Sequence, residues 1–506
     1  MALTDPARPT DVALLTDLYE LTMAQGLWES GKLDEEDCFT AFYRDHPFGS
    51  AYAVMCGTAE LAELVENLRF EDEDIDYLAS LEAPAGGKLF KPGFLEYLRS
   101  FEMHVDIDAV PEGELVFPRE PMVRVKGRAL ECQMLETALL NTINFETLVA
   151  TKTARVVQAA AGRPVAEFGL RRAQGPDGGM AVARASYIAG CSSTSNVLAG
   201  RKYGIPVFGT HAHSWVMSFD TELEAFRAFA HTSPNNCTLL IDTYDVREGV
   251  ENAITVAREM EARGERLSAI RIDSGDLAKL SKYVRSRFDD EGLQYVKISV
   301  SNDLDEYTIQ SLLDQGAPID SFGVGTKLAT CYDQPALGGV YKLCARREAG
   351  ESAWEPVMKL SEQPYKRTIP GVQQVRRYFD EAGSPVCDMI LDETYCEGEG
   401  EDRATTLVAV NDAALVTSVA GMPYRELLEP VVRGGHAVAP REPLEAARER
   451  CAQALSALDP EYKRFLFPQT YVVGMESGLA RVRDELVRER LSATGVTMPW
   501  KAPRHH

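Results

Sequence analysis

The middle of the chain carries a repeat of short apolar runs that each end in polar residues. The runs are PVAEFGLRR (164–172), IPVFGTHAHSW (205–215), TLLIDTYDV (238–246), LSAIRIDSGDL (267–277), VKISVSNDL (296–304) and IDSFGVGTKLA (319–329). From the second run onward they begin about 23 to 33 residues apart, which is the length of one strand plus one helix. Continuous apolar runs of this kind are typical of strands buried on both faces of a parallel sheet. The repeat therefore predicts an α/β fold.

Two architectures contain such alternation, an open doubly wound sheet and a closed barrel. Polar residues follow almost every predicted strand, whereas an open sheet concentrates its site where the strand order reverses. We therefore predict a parallel α/β barrel with its site at the carboxyl ends of the strands. Because six strands rather than eight can be recognised, we expect the barrel to be irregular.

Segments outside the repeat predict a second, β-rich α+β domain. Residues 1–135 combine helical patterns at 16–31 and 48–68 with the alternating segment MVRVKG, and we assign them to an N-terminal domain that is completed by about 360–506. The barrel is assigned to 136–359. For residues 360–506 we expect packing on the N-terminal domain, and the sequence does not indicate their function.

Composition and charge limit the kind of partner. The chain is 45% hydrophobic and 26% charged, as in folded globular proteins, and its formal net charge is −24. An acidic total of this size argues against binding to nucleic acid or to an anionic membrane. The N-terminus lacks a signal-peptide pattern, no stretch has the length of a membrane span, and the ten cysteines form no C-x-x-C pair. We therefore expect a cytoplasmic protein with reduced thiols.

Two strand ends carry groups that suit anions. In FGVGTKLAT, Gly325 and Thr326 can bring backbone and hydroxyl donors to a phosphate, and Lys327 adds charge. In EFGLRR, Arg171 and Arg172 directly follow a strand, where a planar guanidinium can bind two oxygens at once. A tight turn and two solvated arginines would also explain these residues. The serines and threonine of 192–195 are candidates for capping the next helix.

The segment GTHAHSW places His211 and His213 two positions apart, so on an extended segment they would face the same side. A metal site and a structural pair are both compatible with this spacing, although no third ligand lies nearby in the sequence. We favour a reactive histidine at the barrel mouth.

Aspartates at the next two strand ends can act on that histidine. Asp242 and Asp273 can orient its imidazole and hold Mg²⁺, and Arg271 alternates with Asp273 so that both could face the same way. Asp245 and Asp276 are more simply explained as helix caps.

Together with TDLYELTMAQ (16–25) and KLSEQPYKRTIPG (359–371), these segments closely resemble the nicotinate phosphoribosyltransferase family, in the same order from about residue 12 to 372. The resemblance implies an irregular α/β barrel beside a domain built from both ends of the chain. It also implies a homodimer with shared active sites. The implied reaction joins nicotinate to 5-phosphoribosyl 1-diphosphate and yields nicotinate mononucleotide and diphosphate for NAD biosynthesis. ATP hydrolysis would be coupled to it through a phosphohistidine.

The resemblance also implies a role for each matching residue. His213 would be the phosphorylated histidine, with Asp242 and Asp273 beside it as catalytic residues and as ligands of Mg²⁺. Tyr19 of the partner subunit and Phe168 would sandwich the pyridine ring. The remaining substrate contacts would come from Thr210 and Arg271 at the nicotinate carboxylate, and from Arg171, Gly325 and Thr326 at the phosphates.

Two alternatives to this function stay open. A relative that uses nicotinamide or quinolinate would share most of the motifs, although the aspartate that accepts from the nicotinamide amide is absent here. A barrel that has lost catalysis could serve as a binding or structural subunit, but it would not need all of His213, Asp242, Asp273, Arg271 and Thr326. His211 departs from the family pattern and could compete with His213 or alter its pKa.

Overall fold

The computed structural model describes residues 13–360, 367–394, 405–412 and 414–493. The N-terminal elements are α1 (Leu18–Glu29), β1 (Glu36–Phe42), β2 (Ala53–Val54), α2 (Thr58–Asn67), α3 (Asp72–Ser80), α4 (Pro92–Arg99), β3 (Asp106–Ala109), β4 (Leu115–Val116), β5 (Val123–Arg128), α5 (Ala129–Met134) and α6 (Glu136–Ala159).

The middle of the chain alternates strands with helices. Its elements are β6 (Val165–Glu167), α7 (Gly175–Ile188), β7 (Ser193–Thr194), α8 (Val197–Tyr203), α9 (His213–Met217), α10 (Glu222–Thr232), β8 (Thr238–Leu240), α11 (Val246–Ala262), β9 (Ala269–Ile272), α12 (Leu277–Asp290), β10 (Lys297–Val300), α13 (Glu306–Asp314), β11 (Ser321–Val324) and α14 (Thr326–Ala329).

The C-terminal part is rich in strands. Its elements are β12 (Val340–Arg347), β13 (Glu355–Pro356), β14 (Gln373–Phe379), β15 (Pro385–Asp392), β16 (Thr406–Ala409), β17 (Val416–Ser418), β18 (Tyr424–Glu426), β19 (Glu429–Arg433), β20 (His436–Ala437), α15 (Leu444–Ala457), β21 (Val472–Glu476) and α16 (Ser477–Ala493).

The middle strands form one parallel sheet in the order β7-β6-β11-β10-β9-β8. Consecutive residues of β10 are buried, as expected for a strand that is covered on both faces. The predicted parallel α/β arrangement is therefore confirmed. Among the residues described, the ladder ends at β7 and β8 without joining them, and closure into a barrel stays a prediction.

Aspartates at the strand ends start the helices that cover this sheet. Asp245, Asp276 and Asp305 each accept hydrogen bonds from backbone N–H groups in the first turn of α11, α12 and α13. The capping interpretation of Asp245 and Asp276 is thus correct. At α8 the cap is Asn196, which accepts from the Ala199 N–H, rather than one of the hydroxyl residues 192–195.

The run IPVFGTHAHSW was predicted as a strand, and this is wrong. It contributes only an isolated bridge between Val207 and Thr194, while the unpredicted β7 takes the edge of the sheet. Pro206 has no N–H to donate to a ladder, and polar residues follow from Thr210 onward, so the run cannot pair along its length. His213 instead begins helix α9.

A seven-stranded antiparallel sheet combines strands from both ends of the chain, in the order β13-β12-β1-β5-β3-β19-β20. Strand β1 lies between β5 and β12, and β19 pairs with β3, where Glu429 faces Ala109. The predicted β-rich second unit is therefore confirmed. Its boundaries at 135 and 360 stay predictions.

The other C-terminal strands form a six-stranded sheet in the order β17-β16-β21-β15-β14-β18. Buried ion pairs attach it to the N-terminal region, because Arg377 on β14 contacts both Asp388 on β15 and Glu114, at 2.6 and 2.7 Å. Residues 361–366 and 395–404 lie outside the described residues, and with them part of the KLSEQPYKRTIPG motif. No helix in the described part of the chain is long and apolar enough to cross a membrane.

Candidate active site

The predicted site residues follow neighbouring parallel strands. Phe168 comes after β6, Asp242 after β8, Asp273 after β9 and Gly325 after β11. The carboxyl ends of parallel strands meet at one edge of a sheet, so these residues share one face of the molecule. We call this face the carboxyl edge.

His213 lies beside Asp273 at this edge. Its Nε2 is 3.7 Å from Asp273 Oδ2, and its Nδ1 shares a 3.2 Å hydrogen bond with the Thr243 hydroxyl. The His213 side chain is 39% exposed, so the imidazole is oriented by two neighbours and still reachable from solvent. This geometry suits a histidine that reacts with a substrate in solution.

Asp242 has one carboxylate oxygen that no described residue satisfies. Its Oδ2 accepts hydrogen bonds from the Asp273 N–H (2.9 Å) and from the Ser274 hydroxyl (2.6 Å). Its Oδ1 is buried and has no hydrogen-bond partner among the described residues. An unpaired buried carboxylate oxygen next to a second carboxylate fits a hard divalent cation such as Mg²⁺.

Arg271 is held against Asp273 by one serine. Its Nη1 donates to Ser301 Oγ (3.1 Å), Ser301 Oγ donates to Asp273 Oδ1, and Arg271 Nη2 donates to the His211 carbonyl (3.0 Å). Burial lowers the pKa of the Arg271 guanidinium. Its Nε is buried and has no partner in the described residues, so this arginine retains a donor for an anion.

Two further predicted residues adjoin Arg271. The Thr210 hydroxyl donates to the same His211 carbonyl (3.3 Å) that accepts from Arg271. The exposed Arg171 lies close enough for its positive charge to lower the pKa of Arg271 further. Two neighbouring guanidinium groups create a positive potential that favours a carboxylate or phosphate.

Phe168 occupies a slot that a glycine provides. A Cβ on Gly323 would lie 2.6 Å from Phe168 Cε2, so only glycine at 323 lets the ring rest on β11. The ring is nearly parallel to that of Phe208, with centroids 6.3 Å apart. Beneath it, the buried Glu167 carboxylate accepts from the Gly169 N–H and the Thr194 hydroxyl, which fixes the turn that carries Phe168.

The turn at Gly325 and Thr326 packs directly on this phenylalanine turn. The Phe168 N–H donates to the Val324 carbonyl (2.8 Å), and a Cβ on Gly325 would lie 3.1 Å from the Phe168 carbonyl oxygen. Lys327 Nζ pairs with Asp305 Oδ2 at 2.5 Å, which neutralises part of its charge. Its role at a phosphate stays a prediction.

His211 and His213 do not lie on one extended segment, because His213 begins helix α9. His211 is buried, its Nε2 accepts a hydrogen bond from the Leu240 N–H (3.1 Å), and its Nδ1 lies 3.3 Å from the Ala212 carbonyl. The ring thus satisfies a backbone donor of β8 at the open side of the sheet. In this arrangement His211 is a neutral structural group.

Burial lowers the pKa of His211 to about 4, and this predicts a pH dependence of stability. In the unfolded chain histidine binds a proton near pH 6.5. The free energy of unfolding should therefore fall by about 1.4 kcal/mol per pH unit as the pH drops from about 6.5 to 4, with no contribution from His211 above pH 6.5. Urea unfolding at pH 7.5 and pH 5 measures the loss. Carboxylates also titrate in this range, and His211→Gln is the control, since it should remove only the histidine contribution. Equal pH dependence of both proteins would contradict this prediction.

Tyr19 lies apart from the carboxyl edge. It lines a cavity of about 380 Å³ together with α6 residues such as Asn144 and with residues 335–337. Within the described residues, no hydrogen bond, ion pair or ring contact joins Tyr19 to Phe168. Its ring is about half exposed.

Three hydroxyl residues of the site were not predicted from the sequence. They are Thr243 at His213, Ser274 at Asp242 and Ser301 between Arg271 and Asp273. Each follows a predicted strand within a polar cluster, and that position is the signal by which they could have been found.

Comparisons with known proteins found three family models that match this chain. Family models match residues 14–144 (nicotinate phosphoribosyltransferase N-terminal domain), 164–383 (nicotinate phosphoribosyltransferase family) and 372–483 (nicotinate phosphoribosyltransferase C-terminal domain). A nicotinate phosphoribosyltransferase of Mycobacterium tuberculosis is 40% identical over 489 residues, covering 96% of each chain. One of Bacillus subtilis is 39% identical, covering 92% of this chain and 93% of its own. The crystal structure of human nicotinic acid phosphoribosyltransferase, 32% identical, superposes with a TM-score of 0.79 and covers 94% of this chain and all of its own.

Proposed function

The chain belongs to the nicotinate phosphoribosyltransferase family, and we propose that it joins nicotinate to 5-phosphoribosyl 1-diphosphate with coupled hydrolysis of ATP. The products are nicotinate mononucleotide and diphosphate, with ADP and phosphate from the ATP, and the mononucleotide feeds NAD biosynthesis. The observation that carries the proposal is the largely buried Arg271 beside Asp273, which also contacts His213 and Asp242 at the carboxyl edge.

Nicotinate would lie on Phe168 with its carboxylate at Arg271. The unpartnered Arg271 Nε supports this placement, because a buried N–H without an acceptor is costly and a carboxylate would satisfy it. Thr210 shares the His211 carbonyl with Arg271 and would border the same carboxylate. A neutral amide would forgo the charge-assisted contact, which favours nicotinate over nicotinamide.

The phosphates of the second substrate would lie across Arg171, Gly325 and Thr326. Asp242 and Asp273 would hold Mg²⁺, which when bound would neutralise charge on the departing diphosphate. The ribosyl carbon becomes positive as the bond to diphosphate breaks, and the pyridine nitrogen attacks it with its free lone pair. No general base is required, so the protein contributes mainly by positioning both substrates and stabilising the departing diphosphate.

His213 would accept the phosphoryl group of ATP. The γ-phosphorus–oxygen bond of ATP breaks, a phosphorus–nitrogen bond forms on the imidazole, and ADP leaves. Water later hydrolyses the phosphohistidine to phosphate. Asp273 and Thr243 would orient the ring for both steps, and the phosphorylated state would favour binding of 5-phosphoribosyl 1-diphosphate.

An assay with purified protein tests the function. With nicotinate, 5-phosphoribosyl 1-diphosphate and Mg²⁺ we expect nicotinate mononucleotide, formed faster when ATP is present. Competition among nicotinate, nicotinamide and quinolinate should select nicotinate, and formation of another mononucleotide would assign the sister specificity. If none of the three compounds yields a product, the protein would instead be assigned as a non-catalytic subunit.

We also propose a homodimer whose sites are shared. Large apolar side chains are exposed in two regions. At the carboxyl edge they are Val197, Met217, Tyr244 and Tyr332. In and near α1 they are Leu15, Leu18, Tyr19 and Met23. Exposed apolar side chains that lie together are typical of surfaces that bind another protein. A two-fold dimer could bury both groups by packing the α1 region of one subunit on the carboxyl edge of the other.

Mixing two inactive variants tests the shared site. Tyr19→Ala and Arg271→Ala should each be nearly inactive alone, since each lacks a substrate contact. After subunit exchange, mixed dimers contain one intact site, so an equimolar mixture should recover about a quarter of wild-type activity. Sedimentation measures the mass of the assembly, and co-purification of an untagged subunit with a tagged one shows that exchange has occurred. A fully active monomer, or exchange without recovery, would refute the shared site.

A further inference from the structure

Lys152 is a buried cation that the proposed reaction does not use. It lies in the middle of α6, its side chain is inaccessible to solvent, and its Nζ lies 2.7 Å from Glu306 Oε2 and 2.6 Å from Asp333 Oδ2. A buried ammonium is costly unless it is paired, so these two carboxylates determine where it can lie.

Its partners lie on either side of the phosphate turn, which we define as residues 325–330. Glu306 is the first residue of α13, which precedes the turn in the chain. Asp333 follows the turn. The neighbouring Asp305 pairs with Lys327 inside the turn at 2.5 Å. The turn is thus tied to the start of α13 by Lys327 and, through Asp333, to α6 by Lys152.

The turn needs such external ties. Helix α14 has four residues, and a helix of this length is unstable by itself because nucleation costs more than a few hydrogen bonds return. Two residues after the end of α14, Cys331 adopts a φ of 46°, a left-handed conformation that non-glycine residues rarely hold without support. The position of Gly325 and Thr326 therefore depends on contacts made on both sides of the helix.

We propose that Lys152 is a positioning residue for the phosphate turn, holding Gly325 and Thr326 where a phosphate monoester of the substrate binds. The identity of that ligand as 5-phosphoribosyl 1-diphosphate rests on the proposed function. Lys152 does not contact the substrate, since it is fully buried under the turn. It acts through Asp333, whose side chain is 45% exposed.

Lys152→Met should fold. Glu306 keeps its 2.8 Å ion pair with Arg155, so the substitution leaves no uncompensated buried charge, and the released Asp333 carboxylate reaches water. Methionine fills nearly the same volume as the lysine stem. Asp333→Asn provides a second, milder variant that leaves the buried pair of Lys152 and Glu306 intact.

The first measurement separates the two substrates. For Lys152→Met we expect KM for 5-phosphoribosyl 1-diphosphate to rise about tenfold, with KM for nicotinate changed less than about twofold. Asp333→Asn should raise the KM for 5-phosphoribosyl 1-diphosphate by a smaller factor. Lys152→Arg should return this KM most of the way to the wild-type value. Lys297→Met, which breaks an exposed pair with Asp320 at the opposite end of β10, is the matched control and should change neither constant. An equal rise in both constants, or no rise, would overturn the proposal.

The second measurement does not need turnover. Hydrogen exchange of residues 325–333 should be faster in Lys152→Met than in wild type and unchanged in Lys297→Met. Unchanged exchange in Lys152→Met overturns the positioning role whether or not the protein is active. Faster exchange in a protein whose wild type forms no product would support that role and overturn the proposed function alone.

Discussion

Replacing Arg271 with methionine is expected to lower kcat/KM for nicotinate about a hundredfold, because the proposed charge-assisted contact between Arg271 Nε and the substrate carboxylate would be worth about 3 kcal/mol. The loss should appear mainly as a higher KM for nicotinate, since the carboxylate is bound equally in the ground state and the transition state. Steady-state kinetics with each substrate varied in turn measures this.

Two variants sharpen the Arg271 result. Arg271→Lys should recover little, because an ammonium group cannot replace the planar fork that contacts Ser301 and the His211 carbonyl and would also reach the proposed substrate. Arg258→Met removes an exposed arginine that pairs with Glu261 on α11 and should leave all constants unchanged. A normal KM for nicotinate in Arg271→Met would show that the carboxylate binds elsewhere.

Substitution of His213 by asparagine is expected to abolish phosphorylation of the protein by ATP. Wild-type protein incubated with labelled ATP should carry an acid-labile, base-stable phosphate, and His213→Asn should carry none. Stimulation of product formation by ATP should disappear with the label, while some transfer without ATP should remain, because the imidazole does not contact the ribosyl carbon in the proposed mechanism.

His211→Asn is the control for this experiment. It should keep the label, because His211 Nε2 already accepts the Leu240 N–H and is buried. Its expected defect is a lower stability. Label that persists in His213→Asn and is lost in His211→Asn would exchange the roles of the two histidines.

Local patterns in the sequence predicted much of the fold. Five of the six apolar runs became strands of the parallel sheet, and the helical pattern at 16–31 became α1. These elements follow from apolar periodicity and from capping aspartates, both of which act within a few residues. The segment 48–68, interpreted as one helix, instead contains β2 before α2, because its buried first half is satisfied by pairing with β4.

The sequence predicted which residues form the site better than it predicted which residues they contact. Motif spacing identifies His213, Asp242 and Asp273, but their contacts come from residues that are distant in sequence. Ser301 joins Arg271 to Asp273 only because β10 and β9 are adjacent strands. The burial of His211 likewise depends on β8, which no local pattern near His211 reveals.

The seven-stranded sheet has a consequence for how the protein is made on the ribosome. Strand β3 gains its outer partner only when residues 429–433 have emerged, because β19 supplies that pairing. Until then the nascent chain displays an unpaired strand edge, a surface to which other chains can add. A chain that terminates before β19 would keep this edge permanently, so premature release should produce aggregates rather than a smaller folded enzyme.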